Sequence, residues 1–309
     1  MHNGIYLDKL PKEKLLELAK LKCSFVILSH SADNDLSLVT EAFPDTDIYI
    51  SYRCFEGRAL LEKFPEAKAV DAHGKETVSE EYFPVSPINK NVRDYHLQEI
   101  EELSKLKIKG IWLDHFQFPT KWESPNPEIL DTDFSESAIK EFENYIGEEI
   151  EGNNLEEKYL HIDGSYYHEW LQFKSGVLLN FANEVKQIVS QKNMTLSFFA
   201  IPWEEQDYGA GIKRIVAQDH SLLIDQFDDI GIMFYYKSLE VDFNWIKTKI
   251  EYFWHLGTHF YSVVDVGDDF EKALEMASIS PSKGIILKIG EASFNVPGFM
   301  PVSTSFFGR

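Results

Sequence analysis

The sequence predicts an α/β fold, a (β/α)8 TIM barrel, as a single domain over residues 1–309 with a long excursion after the fourth strand. Three observations lead there. Helical and strand-like patterns alternate along nearly the whole chain, as in a parallel sheet covered by helices. Eight short apolar runs qualify as strands, the number a closed parallel barrel needs. At 309 residues and 44% hydrophobic content the chain can bury one large core, and no Pro-, Gly- or Ser-rich linker divides it. The rival architecture is an open doubly wound sheet. It normally wants a glycine-rich first turn, and His30-Ser31-Ala32-Asp33 is not one.

The elements follow in order. Leu15, Leu16, Leu18, Ala19 and Leu21 mark an amphipathic opening helix, and Ser24 to Ser29 is read as the first strand. A helix near Leu36 to Phe43 ends at Pro44, and Asp47 to Tyr52 is the second strand. Gly57 to Phe64 is helical and stops at Pro65. Residues 67–81 are read as a small hairpin or excursion, and Tyr82 to Ser86 as a short third strand. Val92, Tyr95, Ile100, Leu103 and Leu106 recur at helical spacing. The fourth strand is the apolar run Ile111-Trp112-Leu113, introduced by Gly110, with Asp114 where it stops.

The excursion runs from Thr120 to about His168, with a helix near Ser135 to Ile146 that Asp133 or Ser135 caps. Trp170, Phe173, Val177, Phe181, Val185 and Ile188 form the next amphipathic helix. Thr195 to Ile201, Ile230 to Tyr235, His259 to Val264 and Gly284 to Lys288 are the fifth to eighth strands. Helices at Phe243 to His255 and Phe270 to Ala277 separate the last three.

Composition narrows the function. A net charge of -21 leaves no basic stripe to neutralise phosphates, which argues against a nucleic-acid partner. Neutral or cationic substrates suit this field better than polyanions. Cys23 and Cys54 fall at opposite ends of parallel strands, too far apart for a bridge, and no metal-spaced Cys/His cluster stands out. The expectation is therefore no metal and no cofactor. No run is long enough to span a membrane, and the N-terminus has no apolar signal core. That predicts a soluble chain, secreted or periplasmic if a leader was removed.

An acid at the exit of a buried strand is costly unless it is solvated, paired or used. The strand exits also define the face on which such barrels keep their active sites. Read there, the chain offers His30, Tyr52, Arg93, Asp114, His115, Gln117, Trp203, Glu204, Glu205, Tyr235, Asp265 and Glu291, with Asp33 and Asp268 nearby. Sugar rings stack on aromatic faces while their hydroxyls bond to carboxylates and amides. Glycoside hydrolysis needs two carboxyl groups, one protonated for the leaving group and one ionised. Asp114 is the candidate nucleophile or base, and Glu204 or Glu205 the candidate acid. Tyr52, Trp203 and Tyr235 are the expected stacking walls, and His30, His115 and Gln117 the expected hydroxyl partners. Arg93, Asp265 and Glu291 are read as rim groups that bind substrate or pair structurally. Asn193-Met194-Thr195 fits a glycosylation pattern but runs into a predicted strand.

The segment Ser86-Pro87-Ile88-Asn89-Lys90-Asn91-Val92-Arg93-Asp94-Tyr95, followed by Ile108 to Pro119, resembles the glycoside-hydrolase-like barrels related to the alpha-amylase superfamily. The likeness continues through Phe134 to Gly147, Trp170 to Lys174, the strand ending Ala200-Ile201-Pro202-Trp203, and Asp228 to Tyr235. It thus spans roughly residues 82 to 236. It implies an acid at the end of the fourth strand, which falls on Asp114, and a partner after the fifth, which falls loosely on Glu204 or Glu205. His115 stands where that family usually has Tyr, and Gln117 where it has Arg. Loss of that arginine removes a positive charge beside the acid.

The leading expectation is a glycoside hydrolase acting on a poly- or oligosaccharide without a cofactor. A second reading is a catalytically silent glycan-binding barrel, motivated by His115 and Gln117. A third is a metal-assisted hydrolase or lyase using Asp265 or Asp268.

Overall fold

The computed structural model describes residues 2–8, 10–31, 35–257, 259–267, 269–278 and 282–307. Parallel strands β1 (Gly4–Leu7), β2 (Phe25–Ser29), β3 (Asp47–Arg53), β4 (Gly110–Asp114), β5 (Thr195–Ala200), β6 (Asp229–Phe234), β7 (Phe260–Asp265) and β8 (Gly284–Ile289) close into a barrel in chain order. Closure comes from β8 pairing with β1, with Tyr6 beside Lys288.

Helices follow the strands. The first are α1 (Lys12–Leu18), α2 (Leu36–Ala42), α3 (Arg58–Lys63) and α4 (Lys90–Leu103). The excursion between β4 and β5 holds α5 (Glu136–Ile146) and α6 (Leu155–Ser165), and α7 (Tyr167–Ser190) leads back to the barrel. Short helices α8 (Gly211–Arg214) and α9 (His220–Leu223) precede β6. The last are α10 (Phe243–His255), α11 (Phe270–Ala277) and α12 (Phe299–Phe307).

Two packed cores result from the period of two along each strand. Ile5, Ile50, Ile111, Leu113, Phe198, Ile232 and Leu287 face outward against the helices. Tyr6, Ile27, Trp112, Phe199, Met233, Val263 and Ile286 fill the barrel interior. Space for the large inner rings comes from glycine. A Cβ at Gly231 would lie 2.9 Å from Phe199 and 3.0 Å from Trp112, and one at Gly4 would lie 2.2 Å from the Phe25 ring.

Two strand expectations change, and they offset each other. Gly4–Leu7 is the true first strand, which the reading from Ser24 onward passes over. Four residues buried on both faces show no periodicity to read. Tyr82 to Ser86 is not a barrel strand, because β3 pairs directly with β4. Pro84 lacks an N–H, and the segment instead lies along the loop after β3, with a single bridge between Glu56 and Pro84. Asp114 therefore still ends the fourth strand.

Ser135 caps α5, accepting from Ala138 N, while Asp133 holds the Ser135 and Val70 amides. Both cysteines are free.

Behind β3, the Tyr52 hydroxyl lies 2.7 Å from His96 Nδ1. Burial draws the His96 pKa down to about 4 and does the same to His220 at the start of α9. Between pH 6.5 and 4 the unfolded chain therefore binds more protons at these sites than the fold does. Stability present above pH 6.5 is lost as pH falls through that window. The expected loss is about 2–3 kcal/mol per histidine in urea unfolding at pH 4 compared with pH 7. In His220→Phe the acid slope should flatten. An unchanged slope would mean that His220 does not titrate this way.

Candidate active site

The strand ends open on a cleft of about 880 Å³ whose lining includes Tyr6, Asp114, His115, Gln117, Trp122, Tyr235 and Lys288. Strand alternation aims these groups. Tyr6, Trp112 and Tyr235 belong to the interior cluster, so Asp114, two residues after Trp112, and Lys288, two after Ile286, share that inward face.

Asp114 is fixed from both sides. The Tyr6 hydroxyl donates to Oδ2 at 3.3 Å and is itself reached by the Ser51 hydroxyl at 3.3 Å. The His115 amide donates to Oδ1 at 2.9 Å. That contact accompanies a left-handed backbone at His115 (φ 47°), uncommon for a residue with a Cβ and worth noting beside a cleft. Burial pushes the Asp114 carboxyl up, but His115, Lys288 and Arg53 outweigh it and hold the pKa below the usual value. Arg53 is the register partner of Asp114 on β3. Positive charge around this carboxylate thus comes from β3, β8 and the residue that follows it.

The opposite wall is aromatic. Trp122 stacks on Tyr235 (5.7 Å, 20°), and the Lys288 ammonium lies 4.3 Å from the Tyr235 ring centroid. Trp122 comes from the start of the excursion, where Lys121 and Glu128 form a bridge and the Thr120 hydroxyl holds the Glu128 carbonyl. Tyr82, expected in a strand, hydrogen-bonds Thr120 through its hydroxyl and lines the cleft instead.

Asp265 ends β7 beside Lys288. It is half-buried, and its Oδ1 is shielded with no hydrogen-bond partner. Burial drives its pKa up to about 6, against its own backbone N–H, Lys288 and Lys237, while Glu123 adds to the rise. The barrel mouth thus holds two carboxyl groups displaced in opposite directions. Lys288 acts on both.

Of the residues read from the sequence, Asp114, His115, Gln117 and Tyr235 meet in the cleft. The others are placed elsewhere, and Asp265 comes nearest, on the inward face beside the cleft-lining Lys288 but not in the cleft lining itself. Glu204 is held by Lys249 at 3.0 Å and Glu205 by Lys213 at 2.6 Å, and neither lines the cleft. Tyr52 points outward into the helix layer, since it alternates with the inward Ser51 and Arg53, and His30 stacks on it (5.8 Å). Arg93 donates to the Pro87 and Ile88 carbonyls at 2.6 Å, tying down the loop that starts α4. Glu291 is exposed at a 3-10 turn. Trp203 lines a separate, adjoining hollow. Asp33 and Asp268 lie outside the described residues. Among the described residues no three His, Cys, Asp or Glu side chains gather as a metal site.

Tyr6, Trp122 and Lys288 were not singled out from the sequence. Tyr6 lies on the strand that was passed over. Lys288 was counted within its strand, although its parity with Ile286 marks it as inward. Trp122 carries no local signal, because its place depends on the excursion folding back over the mouth.

No family model matches this chain. Over 144 residues, 41% of the chain, it is 26% identical to an S-layer-related protein from Niallia circulans, of whose length the match covers only 8%. Solved structures share the architecture more fully. The glycoside hydrolase domain of PgaB (BpsB) from Bordetella bronchiseptica superposes with a TM-score of 0.70 over 98% of both chains, at 12% identity. A beta-galactosidase from Halorubrum lacusprofundi gives 0.69 over the whole chain and 58% of its own, at 9% identity. The likeness is one of fold. No described helix is long and apolar enough to cross a membrane.

Proposed function

We propose that this chain is a glycoside hydrolase that cleaves a poly- or oligosaccharide in the cleft over Asp114. The observation that carries the reading is Asp114 itself, a carboxylate kept ionised at the mouth of a barrel, in an open cleft with a stacked aromatic wall. The glycoside-hydrolase fold neighbours and the family resemblance from Ser86 to Tyr235 support it. They do not supply a substrate.

In this reading Asp265 takes the acid role expected of Glu204 or Glu205. Its proton passes to the glycosidic oxygen as the C–O bond breaks and that oxygen takes the bonding electrons. The Asp114 carboxylate meets the positive charge growing on the anomeric carbon, directly or through the water it deprotonates. Trp122, which lines the cleft, meets the ring, and Tyr235, whose faces are taken by Trp122 and Lys288, backs it. The carboxylates along the rim, Asp8, Glu56 and Glu123 among them, favour a neutral or cationic glycan over a polyanion.

The test is a broad glycan panel assayed with the unmodified protein and Asp114→Asn side by side. New reducing ends made only by the unmodified protein support the enzyme. Equal binding by both without turnover supports the silent glycan-binding barrel.

A pH profile tests the acid. An acid with a pKa of about 6 is spent as pH rises through 6, so kcat/KM should fall tenfold per unit above it. Asp265→Asn should lose about 10²–10⁴-fold on a natural glycoside and far less on a nitrophenyl glycoside, whose leaving group needs no proton. Equal losses on both substrates would remove Asp265 from the acid role.

A further inference from the structure

Beside the cleft, at the exits of β5 and β6, lies a second hollow of about 170 Å³, and Ser124 lines both. Trp203, Tyr208 and Trp245 give it aromatic faces, and Asp207 and Lys249 give it a charged edge. Tyr208 is 44% exposed, and its ring is backed by Trp203 at 4.6 Å. The chain holds it there by an unusual turn. Tyr208, Gly209 and Ala210 all adopt left-handed backbone, with φ of 52°, 62° and 63°. Gly211 lets the turn close on the ring beneath, because a Cβ there would sit 3.0 Å from Tyr208 Cβ and 3.1 Å from Trp203.

The charged edge is equally fixed. The Lys249 ammonium, on a buried side chain, donates to Asp207 Oδ2 at 2.8 Å and lies 3.0 Å from Glu204 Oε1. The Glu204 amide also donates to Asp207 Oδ2 at 2.8 Å. Glu204 therefore belongs to the framework of this hollow, where its charge balances a buried lysine.

We propose that this hollow is a distal subsite that holds one sugar ring of the same glycan whose cleavable bond lies over Asp114. The inference rests on the glycoside hydrolase reading. Three features select the occupant. The hollow adjoins the cleft, with Ser124 in the lining of both, so one chain leaving the cleft can reach it. It has room for a ring rather than a strand of sugars. Its surface pairs a fixed aromatic face with a charged rim, matching the apolar C–H face and hydroxyl edge of a pyranose.

The test is calorimetric binding in an Asp114→Asn background, which removes turnover, using cello-oligosaccharides and glucosamine oligomers as neutral and cationic probes. Hexasaccharides should bind more tightly than disaccharides. Tyr208→Ala should weaken hexasaccharide binding about tenfold and leave disaccharide binding and the melting temperature unchanged, and Tyr208→Phe should restore it. Hexasaccharide affinity unchanged in Tyr208→Ala, or affinity independent of length, overturns the subsite and leaves the hydrolase standing. Failure of the Tyr208-containing protein to bind any oligomer overturns the glycan reading and the subsite together.

Discussion

Asp114→Asn is expected to lower turnover of the cleaved glycan by about 10³-fold or more while changing its affinity only a few-fold. Asparagine keeps the shape of the side chain, and its amide oxygen can still accept from the His115 amide or the Tyr6 hydroxyl. What it loses is the negative charge, which matters chiefly when positive charge develops on the sugar. Steady-state rates set beside calorimetric affinities separate the two effects. Residual turnover within tenfold of the unmodified protein would remove Asp114 from the reaction. Glu204→Gln and Glu205→Gln are the comparison, and neither should approach that loss, because those carboxylates sit on Lys249 and Lys213 away from the cleft. Stability gives a second readout. A carboxyl whose pKa the fold lowers contributes stability above its ordinary pKa and loses it as pH falls through the folded value. The asparagine variant should lack that acid-dependent loss.

The carboxylate at the end of the fourth strand was legible because it combines two local signals, an apolar run and an acid where the run stops. The acid proposed as its partner, Asp265, was less so. The acids after the fifth strand stand at a strand exit in sequence, but the chain turns there and engages them with lysines of α10 and α8. Asp265 gave the same sequence signal as Asp114 and was read as a rim group, because its displacement comes from burial, which a strand end does not disclose. Tyr52 shows the limit of reading exits without parity. Counting inward from Trp112 and across the register would have turned it toward the helices. The aromatic wall was half legible, since Tyr235 closes a strand whereas Trp122 arrives from a segment with no periodicity. The barrel was read in full as a class, with one strand missed and one invented, because short strands carry little pattern of their own.

The excursion that supplies Trp122 depends on Lys174, and Lys174→Met should be the most damaging single substitution for the fold. This α7 lysine is fully buried. Its ammonium donates to the carbonyls of Thr132, Arg214 (2.7 Å) and Ile215 (3.3 Å), and lies 4.5 Å from the Phe118 ring centroid. One side chain thus pins the excursion to the segment that follows the Tyr208 turn, and so ties the cleft wall to the adjoining hollow. Methionine fills similar space but leaves those carbonyls without their donor and Asp131 with Arg214 alone at 3.5 Å. Removing one partner from such a buried site costs about 3–5 kcal/mol, and urea unfolding at pH 7 should show a loss of that size. Limited proteolysis should then cut first between residues 121 and 134. Burial lowers the Lys174 pKa to about 8, against the pull of Asp131 and Asp133. Between pH 8 and 10.5 the unfolded chain therefore binds more protons at this site than the fold, so its contribution to stability rises with pH in that window. The methionine variant should lose that alkaline rise along with the neutral-pH stability. Unfolding within 1 kcal/mol of the unmodified protein would mean that water reaches the three carbonyls and that the excursion is held by its apolar contacts alone.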